Sequence, residues 1–269
     1  MKIILTTSMS GLGGTETATV RLGRLLKRRG HDIILASSDG PFVGEAQASG
    51  IRWQPVDFYR GGLAGYLKST FAYARMLRRE QPDIIDCQMA RVVPACALAA
   101  KIVSPKTKII YHSHGLDAAT YPKIAKLFDK LGVYIIGNCK HEREKLIRHG
   151  FPAGRIAYAY NALPPPLLVN TPHCVGDHGA GVGNNILEAG LYDTPVVTYN
   201  MAGISEMVIT GQTGYCIPFG DDEAFIEAVD TLIKHPELRS QMGKALHKHV
   251  ETLCSDDEIY RTTMAAYEM

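Results

Sequence analysis

Three short stretches hold residue types that could do chemistry. Gly11-Leu-Gly-Gly14-Thr-Glu16 places glycines where backbone can approach a ligand, just ahead of a helix-forming run whose first N–H groups would be free for an anion. It lacks both the GxGxxG spacing of a dinucleotide fold and the GK[ST] ending of a P-loop, which leaves an anion loop or a plain tight turn. His112-Ser-His114-Gly115 closes an apolar run, and an imidazole there could hydrogen-bond a phosphate or a sugar hydroxyl, or move a proton. We expect these two histidines to face opposite ways, so that at most one is functional; structural satisfaction of both is the alternative. No third ligand accompanies them. The six cysteines at 87, 96, 139, 174, 216 and 254 make no CxxC pair or Cys/His cluster, so no metal is expected and the thiols read as reduced, in a cytoplasmic protein.

The third stretch, Gly179-Ala-Gly-Val-Gly183-Asn-Asn-Ile-Leu-Glu188, is the strongest. Glycines at 181 and 183 let the chain fold tightly against a ligand before a helix begins, and the N–H groups of Asn184 and Asn185 could hold a diphosphate. Glu188 lies one turn in, where its carboxylate could accept bidentate hydrogen bonds from vicinal ribose hydroxyls. The bland alternative is an amphipathic helix with an exposed glutamate.

The elements that must position these residues follow from periodicity. KIILTT (2–7), a glycine turn, a helix near 16–29 and DIILASS make a β-α-β unit, which by handedness belongs to a parallel sheet. The pattern repeats through strands at 82–88, 108–114, 133–138 and 155–161. The expected fold is α/β and doubly wound, with its crevice at the carboxyl ends of the strands, which carry the glycine turn, Ser37-Ser38, His112, His114 and Asn138. The proline cluster after Ala162 suggests a boundary, with domains 1–161 and 162–269. The second half offers about three strands, at 167–172, 195–200 and 215–218, few for a free-standing sheet of this type.

The chain has 269 residues and is 46% hydrophobic, enough to build a sizeable core, with a formal charge of +2. Residues 1–161 carry 24 Lys and Arg against 12 Asp and Glu, whereas 162–269 carry 5 against 15. A basic half suggests an anionic partner such as a membrane surface. Arg24, Arg28, Lys123, Lys126, Lys130, Lys140, Arg143 and Lys145 would supply it. The longest uncharged apolar run, Val92 to Ala100, is too short to span a bilayer. Aromatic-interleaved basic strands are not evident, so nucleic acid is not expected as a partner.

At these residues the chain resembles the family 4 glycosyltransferases. GLGGTETATVRLGRLLKRRGHDI is similar to that family's opening glycine loop and helix, PDIIDCQ to a strand, and HSHG to its crevice histidine. IIGNCKHEREKLIRHGFP and the Asn of NALP are similar to later landmarks, and NNILEAGLYDTPVVTYNMAGISEMVITGQTGYCIPFGDDEAF to its most specific block. The resemblance implies a GT-B-like fold of two Rossmann-like domains, the second shortened. It implies retaining transfer from a nucleotide-diphosphate sugar, itself the substrate, with no cofactor, to a lipid-linked or polysaccharide acceptor in cell-surface glycan biosynthesis.

Carried over by position, Gly13 and Gly14 would line the donor phosphates and His114 would lie near the transferring sugar. Gly183, Asn184, Asn185 and Ile186 would meet the diphosphate and sugar through backbone N–H groups, and Glu188 would hold the ribose. Closure of the two domains would exclude water. Two features depart from the family pattern: Ala180 stands where a first glutamate is expected, and the strand with its Gly-Arg and Lys clamp that should follow Asn161 is absent. The alternative function is therefore a degenerate, non-catalytic binding or scaffold protein, working as a homo-oligomer or with a partner enzyme.

Overall fold

The computed structural model describes residues 1–9, 11, 13–116, 119–164 and 183–269. Its strands are β1 (Lys2–Thr6), β2 (Asp32–Ser37), β3 (Arg52–Pro55), β4 (Ile84–Cys87), β5 (Lys108–Ser113), β6 (Tyr134–Gly137), β7 (Ile156–Tyr158), β8 (Val196–Tyr199) and β9 (Gly214–Ile217). The helices are α1 (Gly14–Arg28), α2 (Val43–Ala48), α3 (Gly62–Glu80), α4 (Val93–Val103), α5 (Tyr121–Leu131), α6 (Lys140–Arg148), α7 (Asn184–Leu191), α8 (Asp222–Lys234), α9 (Pro236–Cys254) and α10 (Asp256–Glu268).

Strands β1 to β7 form one sheet in the order 3-2-1-4-5-6-7, every neighbour parallel. The central strands are apolar on both faces because helices cover both. Ile3 and Leu5 of β1 pack with α1, α2 and α10, whereas Ile4 between them packs with α3, α4 and α5. The order reverses between β1 and β4, so their connections leave to opposite faces and open a crevice at their carboxyl ends.

Among the described residues the second half contains two paired parallel strands, β8 and β9. The expected strand at 167–172 and most of the glycine loop at 175–183 lie outside the described residues. Strands β1 to β7 precede residue 161, and β8 and β9 follow it. The packing, however, crosses it: α10 lies on the large sheet against β6 and β7, with Ala266 and Tyr267 in the sheet's core. Conversely, Leu25, Cys139, Tyr160 and Ala162 share one apolar cluster with Ile186 and Leu187 of α7 and with Leu246 and Val250 of α9. Gly190 permits the α7–α9 contact, since a Cβ there would sit 2.9 Å from Val250 Cγ2.

Candidate functional site

The two glycine-led helices come together at their starts. Asn184 at the head of α7 donates from Nδ2 to the carbonyl oxygen of Gly14 at the head of α1, at 3.1 Å, and accepts from Asn161 Nδ2 at 3.1 Å. One or two turns further on, Arg21 of α1 meets Glu188 of α7. These two contacts fix the helices side by side and pointing the same way. Two helix N-termini, each carrying about half a positive charge, therefore lie together.

Their ends differ. At the head of α1 the Glu16 carboxylate folds back over Gly13, 2.5 Å from where a Cβ would stand, so a side chain there would displace that flexible carboxylate. The head of α7 has Gly183 as its N-cap, with no side-chain cap and no acidic residue in its first turn. The Asn184 and Asn185 amides have no partner among the described residues, whereas the Ile186 amide is already engaged by Gly183 O at 3.1 Å and Asn185 Oδ1 at 2.9 Å. Ile186 is also buried in the shared core. Of the three amides expected to face a diphosphate, the described structure leaves those of Asn184 and Asn185 available.

Glu188 is half-exposed, but it is not idle. Its Oε1 accepts from Arg21 Nη2 at 2.6 Å, and the Arg21 side chain is only 10% exposed. Arg21 Nη1 is buried without a partner among the described residues. A ribose bound by Glu188 would have to share the carboxylate with Arg21 or displace it.

The two histidines stand together, contrary to the expectation that they would face opposite ways. Residues two apart on a strand share a face, and the rings of His112 and His114 stack at 5.0 Å with 6° between their planes. His112 Nδ1 approaches Asp86 Oδ2 at 3.5 Å, and His114 Nε2 lies 2.9 Å from Gln88 Oε1. Asp86 is fully buried on β4 and accepts from Gln88 Nε2 at 2.8 Å and from Tyr267 Oη at 2.7 Å. Desolvation, and then the neighbouring His112, hold the His114 pKa well below 6.5, so this imidazole is neutral. Burial foremost, then Asp86, pushes the Tyr267 hydroxyl far above its ordinary range, which makes it a permanent donor. His112, His114 and Asn161 line one small cavity with Thr263 of α10. His114 also borders a larger cavity of about 580 Å³, with Thr15, Tyr59, Arg91, Leu116 and Leu127.

Residues 12–165 match the profile of Glycosyltransferase Family 4, and residues 173–249 that of Glycosyl transferases group 1. The first match alone covers more than half of the chain. The chain belongs to glycosyltransferase family 4. Similar curated proteins include the capsular polysaccharide biosynthesis glycosyltransferase CapM of Staphylococcus aureus, 33% identical over 90 residues, which are 34% of this chain and 24% of CapM. The D-inositol 3-phosphate glycosyltransferase of Kribbella flavida is 32% identical over 94 residues, 35% of this chain and 22% of that protein. The chain thus spans about a quarter of the length of the curated relatives it matches. In fold it is similar to Anabaena HepE, solved in complex with UDP-glucose, with a TM-score of 0.81 at 13% identity over 100% of both chains. The lipopolysaccharide outer core galactosyltransferase WaaB gives 0.70 at 14% identity over 99% of each chain. The fold is that of the GT-B transferases.

In this family 4 chain the structure gathers Gly13, Gly14, Gly183, Asn184, Asn185 and Glu188 at the paired helix heads. It reaches His114 from there through Asn161. Sequence reasoning missed Glu16, Arg21, Asp86, Gln88 and Tyr267. Asp86 carries a legible signal, because a carboxylate inside the apolar run IIDC must find donors when buried; Arg21 carries none. Another joint between the halves went unseen. Glu206 accepts from the amides of Lys140 and His141 at the start of α6, at 3.2 and 2.7 Å, and from Tyr160 Oη at 2.5 Å.

The expected basic surface needs correction. Arg24 binds Glu45 and Ser49, Arg28 binds Asp256, and Arg143 donates to Ile156 O. Lys140 and Lys145 lie over Tyr158 and Tyr121. Part of the charge asymmetry is therefore spent between the two halves, where Arg29 also pairs with Asp257. Lys123, Lys126 and Lys130 on α5 remain exposed. No described helix is long and apolar enough to cross a membrane.

Proposed function

We propose that the chain transfers a hexosyl group from a nucleotide-diphosphate sugar to a lipid-linked or polysaccharide acceptor, with retention, in cell-surface glycan biosynthesis. The observation that carries this reading is the pair of parallel helix heads. Two like dipole ends in contact repel, and an anion set between them relieves that repulsion while accepting from the Asn184 and Asn185 amides, which have no partner among the described residues. A diphosphate fits this demand. UDP-glucose is bound by HepE, which shares the fold. Charge developing on the leaving diphosphate would be met by these amides and the two dipoles. The acceptor hydroxyl would enter from the cavity beside His114 and attack on the face that the diphosphate leaves. The scheme requires no cofactor.

The lining of that cavity by Met89, Pro94, Leu116, Ile124, Leu127 and Phe128 suits an acceptor with an apolar carrier. The neighbouring helix layer suits the membrane in which such a carrier sits. Leu63, Leu67 and Phe71 of α3, at successive turns, are each 60% or more exposed, and Leu98 and Ile102 of α4 are exposed beside them. Lys68 and Arg75 of α3, Lys101 of α4, and Lys123 and Lys126 of α5 are exposed as well. Each such cation near an anionic leaflet contributes about 1 kcal/mol. We place the membrane-facing surface on α3, α4 and α5, with the chain peripheral at an anionic, cytoplasm-facing leaflet. Sedimentation with anionic vesicles should weaken with salt and be lost in a L67E/F71E variant; equal binding to neutral vesicles would end this part of the reading.

The Arg21–Glu188 pair favours a second reading, a binding or scaffold protein whose ribose-holding carboxylate is permanently occupied. Calorimetric titration with uridine and guanosine diphosphates, joined to a donor-hydrolysis assay, separates the two. A transferase binds one nucleotide and releases sugar, whereas a scaffold does neither.

A further inference from the structure

The chain of hydrogen bonds behind His114 leaves each member one choice. A carboxylate only accepts, so the Gln88 atom 2.8 Å from Asp86 Oδ1 must be the amide nitrogen; a flipped amide would set two oxygens against each other. With its nitrogen committed, Gln88 presents its oxygen to His114 at 2.9 Å. An amide oxygen only accepts, so His114 Nε2 must carry the proton. Tyr267 holds the other end by donating to Asp86 Oδ2 at 2.7 Å, from a helix 181 residues further along the chain. Thr263, one turn earlier on α10, lines the cavity beneath the same histidines.

We propose that Tyr267 and Asp86 are positioning residues that orient the Gln88 amide and thereby fix His114 as the Nε2–H tautomer, with Nδ1 as its acceptor. Tyr267 and Asp86 are buried behind Gln88 and act through it on His114. In the proposed transfer reaction, a neutral His114 with a lone pair on Nδ1 can accept a hydrogen bond from a sugar or acceptor hydroxyl, which the opposite tautomer would not offer. The consequence for turnover rests on the transferase reading, whereas the tautomer does not.

Long-range proton–nitrogen correlation spectra, with the His114 signals assigned by their loss in H114Q, read the tautomer directly in the apo chain. The wild type should show a protonated Nε2 and a bare Nδ1. In D86N the new amide can donate to Gln88 and turn it over, so the His114 pattern should invert or become mixed. Where a carboxylate sets the tautomer of a catalytic histidine, its replacement by the amide costs up to about 10⁴ in kcat; acting here through the intervening Gln88, D86N should lower donor turnover about tenfold or more with the donor KM within about threefold. Y267F, which removes one hydroxyl, should give a mixed pattern and a smaller fall, and it carries the test if D86N does not fold. A bare Nε2 in the wild type, or an unaltered His114 pattern in both variants, overturns the proposal. Wild-type protein that shows the expected tautomer yet turns over no donor would sink the transferase reading alone.

Discussion

Glu188 holds Arg21 in the structure and is expected to hold a ribose, and its replacement by Gln separates these roles. Gln keeps the volume and one oxygen facing Arg21 while losing the charge. The substitution weakens a 2.6 Å charge-assisted hydrogen bond, a type worth about 1.5–3 kcal/mol. With the Glu188 side chain 38% exposed, screening reduces it to about 1 kcal/mol. For a chain of this size, that corresponds to a melting midpoint lowered by about 2–4 °C. A ribose would lose more. Two hydroxyls donating to one carboxylate would face a single amide oxygen and an NH2 group, forfeiting one charged hydrogen bond, which is roughly 10–100-fold in Kd. Arg21→Met serves as the control, since it removes the competitor for the carboxylate: it should destabilise the fold and leave nucleotide affinity equal or tighter. Differential scanning fluorimetry and calorimetric titration read the two effects. If E188Q melts early but its nucleotide Kd stays within twofold of wild type, Glu188 is a structural partner of Arg21 and the ribose assignment fails.

Gly190→Ala would force a methyl group against Val250 and Leu246; overpacking of this kind costs about 1–3 kcal/mol, so the denaturant midpoint should drop, and an unchanged midpoint would show that α7 and α9 can part freely. Glu206→Ala removes the acceptor for two α6 amides and a tyrosine hydroxyl, and hydrogen exchange at Lys140 and His141 should accelerate well beyond that at the far end of α6. His31 and His114 have pKa values lowered below 6.5, each by burial first, so in acid the unfolded chain binds protons that the native state refuses. Stability is therefore full above about pH 6.5 and declines as pH falls below it. A lower urea midpoint at pH 5.5 than at 7.5, with a smaller drop in H114Q, is expected; equal drops in both proteins would contradict a neutral His114.

The parallel sheet was legible because β1, β2, β4 and β5 are covered on both faces and so read as largely apolar runs, broken in β4 by Asp86 and in β5 by His112. Edge strand β3, with the sequence RWQP, is largely uncovered and gives no such signal. Helix α10 lies on β-strands laid down more than a hundred residues earlier, a partnership that local periodicity cannot express. At the site, glycines and asparagines announced the helix heads through their own backbone chemistry. Arg21 looked like any solvated arginine, and only the approach of α7 makes it Glu188's partner. The histidine pair was misjudged by a simple matter of strand period, and its stacking is what tertiary contact then built upon.

The apolar cluster that draws Leu25, Cys139, Tyr160 and Ala162 in with α7 and α9 gives this two-lobed protein the mechanics of a welded seam. A jaw that swings wide to admit its substrate and snaps shut would have to tear that cluster open and wet it, along with the Glu206 joint beside α6. On the transferase reading, exclusion of water would then rest on this standing joint, in place of the closure of two lobes expected from the sequence.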